Sequence, residues 1–305
     1  MAHVLLAGAS GFLGTHLRDA LTARDHTVTA LVRRPSQRPD EVTWDPYADV
    51  VEPSAVAAAD VVINLAGAPT LGNPHSEKWA RELRESRVTT TRVLARAIAA
   101  TDEGSRPAFL AGNGISYYGD HRDVGDPVLD EGADSRGDAL LTSVTREWQA
   151  AADPAVEAGA RVCILRTAPV MDREAPPLRQ QRLQFLAGAG GKLGDGRQHM
   201  AMISLRDWVG AVVHLAEHAS ASGPFNLCCP VTPTNGEYTR ELARQLHRPA
   251  FATVPAAVLK VAAGQMAPEL LGSLNVVPAA LEASGYVFAD RDVADVVRTA
   301  LSTDS

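Results

Sequence analysis

A glycine-rich turn near the N-terminus constrains this sequence more than any other feature. Residues 8–14 read Gly-Ala-Ser-Gly-Phe-Leu-Gly, directly after an apolar run at 3–7 that predicts a strand and directly before a helical pattern. Glycines at this spacing let the backbone turn tightly, approach a pyrophosphate and pack a helix against a strand, and the helix N-terminus offers N–H donors to phosphates. The pattern predicts a dinucleotide-binding βαβ unit. The expected cofactor contacts are Gly8, Ser10, Gly11, Phe12, Leu13 and Gly14.

Short apolar runs alternate with helical patterns over the first two thirds of the chain, which is typical of a parallel sheet with crossover helices. The predicted strands cover residues 3–7, 27–32, 42–44, 61–65, 108–111 and 161–166. The predicted helices cover residues 14–24, 77–100 and 139–159. We therefore expect an α/β fold with a Rossmann-type doubly wound parallel sheet, whose nucleotide-binding domain spans residues 1–167.

The C-terminal part of the sequence loses this alternation. Proline is frequent at 168–177, and 187–196 is so rich in glycine that it predicts a flexible loop. Residues 224–228 are strand-like. Helices are expected at 235–246, 256–264 and 268–274. We interpret 168–305 as a smaller C-terminal α/β lobe that binds the substrate, with some elements, including 205–228, returning to the sheet.

Two arginines follow the second predicted strand, where a carboxylate would bind the ribose 2′-hydroxyl of NAD. They are Arg33 and Arg34, and the next acid along the chain is Asp40. Two guanidinium groups can hold a 2′-phosphate by charge-assisted hydrogen bonds, which favours NADP over NAD. The alternative interpretation is a solvated surface pair of arginines.

The fourth predicted strand ends in the sequence Asn-Leu-Ala-Gly at 64–67. Small residues beyond a buried strand leave room for a nucleotide, so Leu65, Ala66 and Gly67 are candidate cofactor contacts. An ordinary strand-to-turn sequence explains Ala66 and Gly67 equally well. Arg87, on the long predicted helix, either reaches the cofactor or substrate or forms a surface ion pair.

These segments resemble the short-chain dehydrogenase/reductase superfamily, in its extended or atypical NAD(P)-dependent epimerase/dehydratase-like branch. Nearly the whole chain resembles one subfamily, the nucleoside-diphosphate-sugar-epimerase-like proteins with a small C-terminal domain. The segments that carry this resemblance include Trp44-Asp45-Pro46, Ser86-Arg87-Val88, Tyr117-Tyr118-Gly119-Asp120, residues 190–198 and Gly223-Pro224-Phe225-Asn226. The resemblance implies a Rossmann domain that binds NADP, with Thr167, Ala168 and Val170 beside the nicotinamide.

The resemblance also implies an active site in which a tyrosine, and a lysine four residues after it, handle the proton. The corresponding helix, at 138–148, holds neither tyrosine nor lysine. Five further positions differ from the residues that the subfamily usually carries. Glu is usual where this sequence has Ala68, Gln149 and Gln265, Ser is usual where it has Asn113, and His is usual where it has Ser204. Together these changes suggest an altered pocket.

Four residues remain as candidates for the catalytic groups. Tyr117 would transfer a proton from the carboxyl end of the fifth predicted strand, and Ser116 or Asn113 would polarise a carbonyl there. His199 follows the glycine-rich segment and would donate a proton from a closing lid. The alternatives are a packing tyrosine, a turn formed by Ser116 and Asn113, and a solvated histidine.

Composition narrows the classes of function. Lys and Arg number 29 against 36 Asp and Glu, a formal net charge of −7, so the molecule as a whole repels nucleic acids. Cys163, Cys228 and Cys229 lack the spacing of a zinc site or a disulfide framework, which predicts no bound metal and a cytoplasmic protein. We expect no membrane interaction, because no apolar run reaches the length of a span and the N-terminus reads as a strand.

The sequence therefore predicts an NADP(H)-dependent oxidoreductase that acts on the carbonyl or alcohol group of a small-molecule substrate. One alternative is a redox-neutral epimerase, dehydratase or cyclase with bound NADP, and another is a non-catalytic NADP-sensing or scaffold protein. By analogy at the level of the fold, the protein is expected to be a monomer or a homodimer.

Overall fold

A seven-stranded parallel sheet forms the centre of the computed structural model, which describes residues 1–302. The strands are β1 (His3–Ala7), β2 (Thr27–Val32), β3 (Glu41–Thr43), β4 (Val61–Asn64), β5 (Ala108–Gly114), β6 (Val162–Thr167), β7 (Val170–Met171), β8 (Gly191–Leu193), β9 (Ile203–Ser204), β10 (Gly223–Leu227) and β11 (Ala252–Val254). The α-helices are α1 (Phe12–Thr22), α2 (Pro53–Ala57), α3 (Glu77–Ala99), α4 (Leu140–Ala150), α5 (Asp153–Glu157), α6 (Pro176–Leu186), α7 (Leu205–Glu217), α8 (Asn235–Gln245), α9 (Ala256–Ala263), α10 (Ala267–Leu271), α11 (Ala279–Ala283) and α12 (Val293–Leu301).

The central sheet has the strand order β10-β6-β5-β4-β1-β2-β3, and every neighbouring pair is parallel. The chain starts at β1 inside the sheet, adds β2 and β3 on one side, and then crosses back to add β4, β5, β6 and β10 on the other. The strand order therefore reverses between β1 and β4, which in open α/β sheets creates a crevice at the carboxyl ends of the strands. The predicted Rossmann-type doubly wound fold is confirmed.

Helices cover both faces of the sheet and bury its apolar side chains. In β1, Val4, Leu5, Leu6 and Ala7 are all fully buried, and successive side chains point to opposite faces. Val4 and Leu6 belong to the core that includes α1 and α7, and Leu5 and Ala7 belong to the core that includes α2, α3 and α5. Strands covered on both faces need continuous apolar runs, and such runs were the signal that located them in the sequence.

The residues beyond β6 contribute to the central sheet and also form a smaller lobe. β10 completes the central sheet and α7 packs on one of its faces, whereas β7 pairs with β9 and β8 pairs with β11 in separate two-stranded sheets. A third core, with Leu178, Tyr238 and Val296 among its buried residues, lies between α6, α8 and α12. Over the described residues, no helix is both long and apolar enough to cross a membrane.

Two details of the sequence prediction were wrong, each for a local reason. The segment 187–196 is not a flexible loop throughout, because Gly191–Leu193 forms β8 parallel to β11. A Cβ at Gly191 would lie 2.3 Å from the carbonyl oxygen of Ala252, so glycine there permits close strand approach. The single helix expected at 139–159 is two helices, because Pro154 at the start of α5 has no N–H to continue α4.

A buried arginine joins β6 to the segment after β5. Arg166 is 3% exposed, and its guanidinium donates to Gln149 Oε1 at 3.0 and 3.2 Å and to the Tyr118 hydroxyl at 2.8 Å. The guanidinium also donates to the backbone carbonyl of Glu131 and lies 3.7 Å from the centre of the Tyr117 ring. All of its hydrogen-bond acceptors within residues 1–302 are therefore neutral, although the group carries a full charge.

The turn between β1 and α1 depends on glycine at two positions. Gly8 has a φ of +85°, and a Cβ there would lie 2.7 Å from the carbonyl carbon of Leu65, just beyond β4. A Cβ at Gly14 would lie 2.1 Å from the Gly8 carbonyl oxygen, whereas a Cβ at Gly11 would lie 3.4 Å from that oxygen. Backbone therefore packs directly on backbone at Gly8 and Gly14, and Gly11 has room for a methyl group.

Gly14→Ala is expected to lower the free energy of unfolding by about 3 kcal/mol, the upper end for overpacking, because the new methyl group meets backbone and not a flexible side chain. Gly11→Ala is the matched control. Its loss should not exceed about 1 kcal/mol, the difference between glycine and alanine at an N-cap. Urea unfolding followed by circular dichroism measures both, and equal losses in the two variants would contradict the packing role assigned to Gly14.

Gln149→Glu is expected to raise the free energy of unfolding by about 1–3 kcal/mol near neutral pH, because a carboxylate would face the buried Arg166 guanidinium. The guanidinium would depress the pKa of the new carboxyl in the folded state. The gain should therefore be present above the unfolded pKa and disappear as the pH falls through the folded one. Thermal unfolding between pH 3 and pH 8 tests this, with the exposed Gln184→Glu as control. A pH-independent effect, or a loss of stability at neutral pH, would refute the charge argument.

Candidate functional site

A cleft of about 880 Å³ lies where the strand order reverses, at the carboxyl ends of β1, β2 and β4. Gly8, Ser10 and Gly11 of the β1–α1 turn line it, together with the end of β2 and residues 65–69 after β4. The volume lies within the roughly 300–1,000 Å³ typical of small-molecule and cofactor sites. The structure thus brings three of the segments predicted from the sequence into one cleft.

The N-terminus of α1 supplies hydrogen-bond donors to this cleft. Its N-cap residue is Gly11, no side chain caps the helix, and its first turn contains no acid. The first-turn N–H groups and the positive end of the helix dipole are therefore available to an anion. Phe12 packs on the His16 ring and Leu13 packs against the core, and neither residue is among those that line the cleft.

Three arginines line the cleft beyond β2: Arg33, Arg34 and Arg38. Arg34 donates to the two carboxylate oxygens of Glu41, at 2.6 and 2.8 Å. Hydrogen bonds from the Arg34 guanidinium and then from the backbone of Gln37 lower the pKa of Glu41 to about 2. Arg34 is therefore neutralised by an ionised acid. Sequence reasoning singled out Arg34 as half of a phosphate clamp and missed Arg38.

Arg33 and Arg38 are exposed and form no ion pair within residues 1–302. Three guanidiniums and one carboxylate leave two positive charges at this wall of the cleft. The signal that would have identified Arg38 is its position in the same polar loop, five residues after Arg33. The pairing of Arg34 with Glu41 could not be read from the sequence, since it depends on the register of β2 against β3.

The segment after β4 is held in place by the side chain of Asn64. Asn64 is buried, donates to the Thr91 hydroxyl at 2.9 Å and accepts the Ala66 N–H at 3.0 Å. Leu65, Ala66 and Gly67 consequently line the cleft with small side chains and backbone.

Arg87 lies beside this segment and donates to the Ala68 carbonyl at 3.1 Å and to the Thr70 hydroxyl at 3.0 Å. Burial lowers the pKa of its guanidinium to about 10, so the group is still charged at neutral pH. A Cβ at Gly67 would lie 3.4 Å from the Arg87 side chain. Arg87 therefore holds the segment that forms this wall of the cleft. Within residues 1–302 it forms no surface ion pair, which was the alternative interpretation of the sequence.

Two of the predicted catalytic residues are occupied by structural contacts. Asn113 is buried, donates to the Thr145 carbonyl at 3.1 Å and accepts the Gly114 N–H at 2.7 Å, so it ties β5 to α4. Tyr117 is half-buried, with its ring against Arg166 and edge-on to Tyr118. The Tyr118 hydroxyl donates to Asn226 at 2.7 Å, and burial raises its pKa to about 12.

His199 belongs to a cluster of polar side chains that also contains Asp126 and Ser273. Its Nδ1 lies 2.9 Å from Asp126 Oδ2, and the Ser273 hydroxyl donates to the same oxygen at 2.8 Å. The backbone N–H of His199 donates to Ser273 Oγ at 2.8 Å. This cluster ties the loop after β5 to the segment after α10. His199 is not among the residues that line either cavity at the strand ends.

The residues expected beside a nicotinamide lie at the end of β6. Thr167 accepts a hydrogen bond from Trp208 Nε1 at 3.3 Å, and the Ala168 N–H donates to the Leu227 carbonyl at 3.0 Å. Val170 starts β7 and pairs with Ile203. These contacts connect the central sheet with the smaller lobe at the same carboxyl edge as the cleft.

Ser116 lines a second cavity, of about 200 Å³, between the start of α4 and α10. Its hydroxyl donates to Glu269 Oε2 at 2.6 Å. Burial raises the pKa of Glu269, although the hydrogen bond from Ser116 acts in the opposite direction. Sequence reasoning missed Glu269, whose only signal is a lone acid in the apolar stretch 266–271. Over residues 1–302, no three His, Cys, Asp or Glu side chains cluster as metal ligands would.

Two family models match the chain. Residues 4–228 match the NAD dependent epimerase/dehydratase family, and residues 254–300 match a domain of unknown function, DUF1731. An epimerase family protein of Mycobacterium leprae is 36% identical over 305 residues, which cover 100% of this chain and 97% of the relative. The human epimerase family protein SDR39U1 is 32% identical over 293 residues, which cover 93% of this chain and 94% of the relative.

Solved structures agree with these matches. The crystal structure of human SDR39U1 (isoform 2) with NADPH has a TM-score of 0.85 and 29% identity, and the match covers 98% of both chains. A nucleoside-diphosphate sugar epimerase from Corynebacterium glutamicum has a TM-score of 0.79 and 28% identity, over 98% of this chain and 58% of that one. The family match from the glycine turn to β10, together with relatives similar along almost the whole chain, shows that this chain belongs to the NAD dependent epimerase/dehydratase family and carries a DUF1731 domain near its C-terminus.

Proposed function

We propose that this chain binds NADP(H) in the cleft after β1, β2 and β4 and uses it to interconvert a carbonyl and an alcohol group of a small molecule. The cleft is the observation that carries this proposal. It combines a turn of closely packed backbone at Gly8 and Gly14, a helix N-terminus without a side-chain cap, and two guanidiniums that form no ion pair within residues 1–302. The relative crystallised with NADPH supports the same cofactor.

The residues present fit a dinucleotide that carries a 2′-phosphate. The N–H groups at the start of α1 suit a pyrophosphate, because they are donors at the positive end of a helix dipole. Arg33 and Arg38 suit the 2′-phosphate, since guanidiniums form strong charge-assisted bonds with phosphate oxygens. Glu41 is the acid of this wall, and its two oxygens are held by Arg34 and not free for a ribose hydroxyl.

When bound, the reduced nicotinamide supplies a hydride. The chain's own groups then have to orient the substrate and handle the proton. Ser116 follows β5 directly and lines the cavity next to α4, so its hydroxyl is suited to bond a substrate oxygen. Asn113 is held by buried hydrogen bonds and the Tyr117 ring packs against Arg166, which argues against either one in this role.

The reaction is tested with purified protein, NADPH and a panel of small aldehydes and ketones, by nicotinamide absorbance and by mass spectrometry of the products. A fall in absorbance with formation of an alcohol supports the proposal. A product formed without any absorbance change would instead identify a redox-neutral epimerase, dehydratase or cyclase. Tight NADPH binding with no product from any compound would favour a sensing or scaffold protein.

The double variant Arg33→Ala, Arg38→Ala is expected to weaken NADPH binding by about 10-fold to 100-fold, the loss of one or two charge-assisted hydrogen bonds. NADH lacks the 2′-phosphate, so its affinity should change by less than about threefold. Isothermal titration calorimetry at fixed salt measures both affinities.

The pair variant Arg34→Ala, Glu41→Ala is the matched control for this experiment, because it removes two charges that already cancel. It should affect NADPH less than the Arg33→Ala, Arg38→Ala variant does. An equal loss of NADH and NADPH affinity in the Arg33→Ala, Arg38→Ala variant would contradict recognition of the 2′-phosphate by these arginines.

A further inference from the structure

The small cavity beside Ser116 is built from two distant parts of the chain. Ser116 and the first turn of α4, with Ala139 and Thr142, form one side. Glu269 and Ser273, from α10 and the segment after it, form another. The DUF1731 match covers residues 254–300, so this domain of unknown function supplies one wall of the cavity.

The size of the cavity limits what it can hold. It measures about 200 Å³, below the roughly 300–1,000 Å³ of pockets that bury drug-sized ligands. Ser116, Gly119 and Asp120 of its lining follow β5, the strand next to β4, so the cavity is on the same carboxyl edge of the sheet as the cofactor cleft. A molecule bound here would therefore be small and would lie at that edge.

The charges around the cavity limit its ligand further. Two carboxylates, those of Asp120 and Asp138, and the carboxyl group of Glu269 line it, against one guanidinium, that of Arg136. Arg136 is itself in contact with Asp134 at 3.0 Å and Asp123 at 3.6 Å. A phosphate or carboxylate on the ligand would meet repulsion without a free cation to offset it.

Glu269 is the acid of this cavity that touches the candidate active-site hydroxyl. Its Oε2 accepts the Ser116 hydroxyl at 2.6 Å, and burial raises its pKa. A raised pKa keeps a larger share of the carboxyl protonated near neutral pH, which suits a proton donor. The other charged groups nearby are better solvated: Asp120 pairs with Arg122, Asp138 is exposed, and Lys260 on the adjoining α9 is exposed.

We propose that this cavity binds a small carbonyl compound without phosphate or carboxylate groups, and that Glu269 provides the proton for its reduction through the hydroxyl of Ser116. The inference rests on the proposed function. During reduction the π bond of the carbonyl breaks, its carbon gains the hydride of the reduced nicotinamide, and its oxygen takes the Ser116 proton. For this step protonated Glu269 donates its O–H to Ser116 Oγ, the reverse of the 2.6 Å hydrogen bond in the structure, and the Ser116 hydroxyl turns to the carbonyl oxygen. Ser116 then regains its proton from Glu269, which is left as a carboxylate and is reprotonated by water.

Ligand class is tested on NADP-loaded protein by saturation-transfer NMR with hydroxyacetone and pyruvate, which are similar in size and differ in charge. Hydroxyacetone should bind about tenfold or more tightly than pyruvate, and UDP-glucose should not bind. Ala139→Trp, which fills the cavity, should abolish the hydroxyacetone signal and leave NADP binding unchanged.

Stronger binding of pyruvate or UDP-glucose would overturn the inference, and so would the absence of hydroxyacetone binding to protein that holds NADP. The proposed function would still stand in each case. Failure to bind NADP at all would instead overturn the proposed function, so the two failures are distinguishable.

The role of Glu269 is tested without turnover by comparing Glu269→Gln with the wild type in thermal unfolding across pH. A carboxyl whose folded pKa is raised destabilises the fold once it ionises, and this loss grows as the pH rises from the unfolded pKa through the folded one. Glu269→Gln lacks that charge, so its Tm should exceed the wild-type Tm at high pH and approach it at low pH. The exposed Glu103→Gln is the control.

Turnover of a neutral carbonyl compound completes the test. Loss of a general acid lowers the rate by about 10²-fold to 10⁴-fold, so Glu269→Gln should show a fall in this range with NADPH affinity unchanged. The wild-type rate of reduction should decrease as the pH rises through the raised pKa, and the variant should lack this limb. A Tm difference independent of pH, or a variant with the wild-type pH profile, would refute the role of Glu269.

Discussion

The close approach of the β1–α1 turn to the end of β4 is the contact on which the site depends. Gly8 packs its backbone on Leu65, and Gly14 packs α1 on the carbonyl of Gly8. These contacts hold the N-terminus of α1 at the crevice between the two strands where the sheet order reverses. A side chain at either position would displace the helix, and with it the donors that an anion needs. Backbone packing, and not any functional side chain, therefore sets the position of the cleft.

The positions at which this chain departs from the usual residues of its subfamily serve mainly structural purposes here. Asn113 ties β5 to α4, Gln149 accepts two of the hydrogen bonds from the buried Arg166, and Ser204 caps α7 by accepting the Asp207 N–H. The N–H of Ala68 donates to the Ser86 hydroxyl. The sequence suggested that these changes alter a pocket. Their contacts show that several of them hold the elements around the strand ends, so the departures do not by themselves indicate lost chemistry.

Features with a local physical cause could be predicted from the sequence. The buried strands carry continuous apolar runs, the glycine turn follows one of them directly, and α3 agreed with its predicted range to within a residue. Features that depend on contacts between distant segments could not. The Arg34–Glu41 pair requires the register of β3, and the Ser116–Glu269 contact joins residues 153 positions apart. Gly191 was predicted to lie in a flexible loop, but it lies in β8 and packs closely on Ala252. The sequence cannot distinguish a glycine needed for flexibility from one needed for close packing.

The two cavities at the carboxyl edge of the sheet differ in electrostatic character. The large cleft has a helix N-terminus and two guanidiniums that form no ion pair within residues 1–302, whereas the small cavity is lined by three acidic side chains and one guanidinium that already contacts two acids. In a protein with a formal net charge of −7, the positive cleft is a local exception and attracts phosphate groups against the overall field. The acidic cavity repels them. A dinucleotide phosphate would thus be directed to one cavity and excluded from the other, while the C-terminal domain supplies Glu269 to the wall of the smaller cavity.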